Sequence, residues 1–182
     1  MSEVKSISWE SVYEDHFSLI VRFCGHYAKN KHDAEDLAQN VFINIETHKD
    51  SYDISKPIKP WIYQIARNLC LNHIRDKAKH REIEKFQWSK SYFATTTQLH
   101  IVALSPSPPS ELIQQEFQQK LQNAMDQLSS EQREIILLKY SEKLTRNEIA
   151  QSMNLPFSTV KLRLFQGVKL LREILEDYLK NN

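Results

Sequence analysis

Trp9, Val12, Tyr13, Phe17, Ile20, Cys24 and Tyr27 recur at three- and four-residue steps, which predicts a helix over residues 8–27 whose apolar stripe needs a partner. A second helix is expected from Asn30, a potential cap. It carries Asp33, Glu35 and Asp36 in its first turns, where acids suit the positive helix end, and Leu37, Ala38, Val41 and Ile45 on one face. A turn-like stretch over residues 53–60, with Pro57 and Pro60, introduces a third helix from Trp61, buried through Ile62, Ile65, Ala66, Leu69 and Ile74. Three such helices close one bundle.

Periodicity fades over residues 87–110, which hold Thr95, Thr96 and Thr97 and end on Ser105, Pro106, Ser107, Pro108, Pro109 and Ser110, a composition prone to extended backbone. A domain boundary is placed there, although Tyr92, Phe93, Leu99, Ile101, Val102 and Leu104 exceed what a spacer needs. A linker of about 24 residues reaches roughly 80 Å when extended and roughly 27 Å as a coil. Beyond it, a helix is expected over residues 111–127. Two capping-box patterns follow, Ser129 with Gln132 and Thr145 with Glu148, and a last helix begins after Pro156 and Ser158 and runs through Val160, Leu164, Val168, Leu171 and Leu175. The expected fold is all-α: two small helical domains, residues 1–86 and 111–182, joined by a flexible linker over residues 87–110.

Within the second domain, residues 144–161 read as a short capped helix, a tight turn and a second helix, the pattern of a helix-turn-helix. Small Ala150 permits close helix approach, Asn154 occupies a turn position that favours left-handed backbone, and Ile149, Met153, Leu155, Val160 and Leu164 supply the core. That geometry sets the start of the second helix in a major groove. Ser158, Thr159, Lys161, Leu162, Arg163 and Gln166 are then candidates for DNA contacts, with Lys161 and Arg163 foremost.

Composition narrows the function further. The 182 residues contain only two glycines, Gly25 and Gly167, so neither a P-loop nor a dinucleotide-binding turn can be written, and nucleotide-driven chemistry is not expected. Cys24 and Cys70 fall in apolar helical patterns without a paired spacing, which suits a reduced cytoplasmic setting; no leader or spanning segment is expected. Cys24, His26, His32, Cys70, His73 and His80 match no compact ligand spacing, so no metal or other cofactor is expected. The net charge of +1 hides segregation: residues 33–53 carry six acids against one base, Lys49, whereas residues 67–81 carry five bases against Asp76 alone, and residues 157–172 carry four bases and no acid. Two separate basic stretches imply two contacts with a polyanion.

The residues from Leu128 to Glu134, the apolar run after them, Leu144 to Ala150, and Thr159, Val160 and Lys161 stand in the order of the fourth-region domain of the extracytoplasmic-function (ECF) sigma factors, which the chain resembles. In the first half, residues 33–42 and 61–69 are similar to that family's second-region motifs. The resemblance implies a factor, not an enzyme, that binds core RNA polymerase and directs it to promoter DNA. Asp33, Asp36, Gln39 and Asn40 would dock on the polymerase clamp. Trp61, Tyr63, Gln64, Arg67, Asn68, Asn72 and Arg75 would meet the melted minus-ten element, and the helix-turn-helix the minus-thirty-five element.

Stacking a base on an aromatic contributes about 1–3 kcal/mol, comparable with the few kcal/mol needed to unstack one, so melted DNA can be held without hydrolysis. Trp61 reads equally as a packing residue of the core. The family also implies an anti-sigma partner that would hold the factor at the inner membrane. The chain departs from the family's usual pattern at Asn40, at Arg146 and Asn147, and at Leu162, Phe165, Gln166 and Val168, which makes the DNA face less basic. The rival reading is a stand-alone helix-turn-helix regulator, whose mark would be a dimer on a palindromic site.

Overall fold

The computed structural model describes residues 7–28, 30–80 and 111–181, and the linker expected over residues 87–110 lies outside them. The chain divides into two compact units, formed chiefly by residues 1–89 and 90–182. All regular structure among the described residues is helical.

The first unit is a three-helix bundle of α1 (Trp9–Gly25), α2 (Lys31–His48) and α3 (Ile58–His80), each packed on the other two. Ser8 caps α1, its hydroxyl accepting from the Ser11 amide at 3.3 Å, and Asn30 caps α2 as expected, its side chain accepting from the Asp33 amide at 2.8 Å. Ile20, Phe23 and Cys24 of α1, Ala34, Ala38 and Val41 of α2, and Ile62, Ala66 and Cys70 of α3 form the core. Alanines at three of these positions let the helix axes close up.

Helix α3 starts three residues before the expected Trp61. Pro60 sits in the first turn, where no intrahelical partner exists for the amide it lacks. The turn leading into α3 is held by Asp53, whose carboxylate accepts from the amide and hydroxyl of Ser55 at 3.0 and 2.7 Å.

The second unit comprises α4 (Glu111–Asp126), α5 (Ser130–Ile136), α6 (Arg146–Met153) and α7 (Phe157–Asn181); α4 and α5 both pack on α7. Both expected capping boxes form. Ser129 and Gln132 exchange side-chain and backbone hydrogen bonds at 3.2 and 3.1 Å, and Thr145 and Glu148 do so at 3.2 and 2.7 Å. Buried Arg133 reaches back from α5 to donate to the carbonyls of Met125 and Leu128, at 2.9 and 3.4 Å, satisfying acceptors that the end of α4 leaves open.

Helix α5 runs on into a π-helical turn over Leu137–Ser141, where the Glu142 amide donates to the Leu137 carbonyl at 3.1 Å. The sequence pattern did not signal this wider turn, because Leu137 and Leu138 continue the apolar stripe. Between α6 and α7, Asn154 takes the left-handed conformation anticipated for it, with φ of 52°. Helix α7 begins at Phe157, directly after Pro156.

Candidate nucleic-acid interface

On α3, a residue advances by about 100° per step, so Trp61, Gln64, Asn68, Asn72 and Arg75 share one side, opposite the buried stripe of Ile62, Ala66 and Cys70. Asn68, Asn72 and Arg75 are exposed and Gln64 is half-buried. Arg75 donates from Nη2 to Asn72 Oδ1 at 2.7 Å, which holds a cation and an amide side by side on the surface. Arg67 flanks this side, half-buried.

Trp61 is half-buried in an aromatic cluster at the start of α3, its ring centroid 4.8 Å from that of Tyr52 and 6.1 Å from that of Trp9. It therefore packs, as one of its two readings held, while keeping part of its ring at the surface. Tyr63 corrects the expectation of a DNA contact: it is 1% exposed, with its ring edge-on to Phe23 at a centroid distance of 5.3 Å. Two residues beyond Trp61 on a helix is nearly the opposite side, and residue type had outweighed phase.

On α2, Asp36, Gln39 and Asn40 are exposed along one face. Asp33 is tied instead to α3, because Lys77 Nζ stands 2.6 Å from its carboxylate. The hydrogen bond from Lys77 holds the Asp33 carboxyl below the usual carboxylate range despite partial burial. Sequence reasoning missed Ile43, 61% exposed on the same face as Asp36 and Asn40. The available signal was its phase, out of step with Leu37, Ala38, Val41 and Ile45.

On α7, Ser158, Lys161, Leu162 and Gln166 are exposed and Thr159 is half-buried. Arg163 is turned the other way, its Nη2 2.7 Å from Glu131 Oε2 at the start of α5. It shares the inward face with Val160 and Gly167, at three- and four-residue steps, so its place as a foremost groove contact is corrected. The residue missed here is Phe165, 67% exposed beside Leu162, which is 56% exposed. Among the described residues no three His, Cys, Asp or Glu side chains converge on a position that would hold a metal ion. No described helix is long and apolar enough to cross a membrane.

Residues 12–80 match the family described as Sigma-70 region 2, and residues 118–171 that described as Sigma-70, region 4. The chain is 32% identical over 166 residues to the ECF RNA polymerase sigma factor SigW of Bacillus subtilis, covering 91% of this chain and 86% of the relative. It is 30% identical over 165 residues to SigM of the same organism, covering 91% and 93%.

Among solved structures, the fold is similar to that of the sigma factor RpoE in complex with the anti-sigma factor NepR from Bartonella quintana. The TM-score is 0.65 at 19% identity, over 92% of this chain and 96% of that one. It is also similar to CnrH in complex with the cytosolic domain of CnrY, with a TM-score of 0.61 at 16% identity over 93% and 88%.

Proposed function

The chain belongs to the ECF RNA polymerase sigma factors, and from that premise we propose how its two helical units divide the work of promoter-specific transcription initiation. It binds core RNA polymerase and carries it to promoter DNA. The observation that carries the assignment is the occurrence, in one chain and in order, of both sigma regions, each with a polar helix face outside its own core: Gln64, Asn68, Asn72 and Arg75 on α3, and Ser158, Lys161 and Gln166 on α7.

The exposed face of α2, with Asp36, Gln39, Asn40 and Ile43, docks on the polymerase clamp: an apolar side chain ringed by polar ones is the composition of a protein contact rather than of a solvated face. The face of α3 follows the minus-ten strand once it is single. Amides there offer both donors and acceptors to base edges, Arg75 takes a phosphate, and the exposed part of Trp61 lies at the end of that track. Helix α7 enters the major groove of the minus-thirty-five element.

Each module alone binds DNA weakly, since sequence-independent contacts give dissociation constants of about 10⁻⁴ to 10⁻⁶ M at physiological salt. Holding both on core enzyme converts the second contact into an intramolecular one. The factor has no catalytic centre of its own, works in the cytoplasm and is restrained by an anti-sigma protein, as the two sigma factors of similar fold are in their complexes. Reconstitution with bacterial core polymerase tests this reading. Promoter-specific run-off transcripts should appear on adding the chain and fall at least tenfold with Asn68→Ala and Lys161→Ala together; failure to associate with core enzyme refutes it.

A further inference from the structure

The groove-facing side of α7 presents an unusual chemistry for a DNA-reading helix. With Arg163 clasped by Glu131 at 2.7 Å, its guanidinium is directed at its own domain. What remains at the centre of the exposed face is Leu162 and Phe165, one turn apart and both more than half exposed, with Lys161, Lys169 and Arg172 alongside. No acid occurs between residues 157 and 172. The cations fit a phosphate backbone on either side, so the apolar pair is aimed between the backbones, at the floor of a groove. An edge of paired bases in the major groove offers one apolar group, the C5-methyl of thymine.

We propose that Leu162 and Phe165 read thymine methyl groups, so that the minus-thirty-five element of this factor is selected by apolar contact at thymines rather than by arginine forks on guanine. The proposal rests on the assignment of α7 to that element. It predicts that Leu162 and Phe165 specify sequence, while Lys161, Lys169 and Arg172 supply affinity that is nearly indifferent to sequence.

The test uses holoenzyme assembled from core polymerase and the full chain. A minus-thirty-five element is selected from a randomised duplex upstream of a fixed minus-ten element, and each selected thymine is then replaced by deoxyuridine, which removes the methyl and nothing else. Wild-type holoenzyme should lose affinity about fourfold for each methyl it buries. Leu162→Ala and Phe165→Ala should each bind the thymine and deoxyuridine duplexes equally at one or more of those positions, while still opening a promoter fork that lacks the upstream element.

The proposal fails if no deoxyuridine changes binding by twofold, or if both variants discriminate as the wild type does. A holoenzyme that forms and melts the fork yet selects no upstream sequence refutes the placement of α7, and the methyl contact with it. One that never forms refutes the sigma assignment itself.

Discussion

His26, at the end of α1, shows what burial does to a single ionisable side chain. Enclosure in the bundle, and secondarily the neighbouring Arg22 cation, push its pKa down to about 3 from the usual 6.5. The folded state therefore keeps the ring neutral where the unfolded chain takes up a proton. Stability is full above about pH 6.5 and declines as pH falls toward 3, by up to about 1.4 kcal/mol per pH unit for this one group. His26→Leu should flatten that decline between pH 6.5 and 4, whatever it does to stability at pH 7. Urea midpoints of both proteins at pH 7 and pH 5 measure it, and equal losses in the two would refute the assignment. Asp33 acts in the same sense at lower pH: its depressed carboxyl lends stability that is present above about 4 and lost as acid protonates it and frees Lys77. At this scale the sequence was most legible where a residue's role follows from the backbone, as with the caps Asn30, Ser129 and Thr145 and the turn residue Asn154. It was least legible where a polar or aromatic type invited a surface role that helical phase denies. Tyr63 and Arg163 face inward because they stand with Ala66 and Val160, and only the residues three and four positions away say so.

Helix ends and crossings carry the next set of consequences. Loss of the Ser129 or Thr145 hydroxyl removes one half of a capping box, so Ser129→Ala and Thr145→Ala should each cost about 1 kcal/mol, read by thermal unfolding. The crossing of α5 and α7 is tight at Gly167, where an added Cβ would stand 2.8 Å from Ile136 Cδ1. Gly167→Ala gains about 1 kcal/mol of helix propensity and spends much of it pushing that methyl aside, so alone it should be nearly neutral. Ile136→Val removes the obstructing methyl at a cost of about 1 kcal/mol in the native background, and should cost measurably less beside Gly167→Ala. A double-mutant cycle with no coupling would mean that the helices part instead. The number and order of these elements were readable from spacing and punctuation, because every start is marked by a cap or a proline. The early start of α3 was not, since a proline in the first turn is as compatible with helix as with the turn before it.

Taken as a whole, the molecule places two DNA-facing helices on separate units whose stability does not require DNA, and this separates affinity from choice. Lys161→Ala should lower holoenzyme affinity about equally on all promoters and reduce the slope of log affinity against log salt by about 1, measured from 50 to 200 mM salt. A loss confined to one promoter class would instead make Lys161 a base contact. The π-helical turn over Leu137–Ser141 bears on the molecule in another way. An i to i+5 turn holds one residue more than an α-turn, so excising a residue there would regularise the spiral while swinging everything downstream by about 100°. Leu144, wholly buried just beyond it, would leave the core, and the groove-reading helix would inherit the error. Exposed Tyr140 should therefore accept most replacements and resist deletion, which makes chain length in this segment a stricter requirement than chain composition.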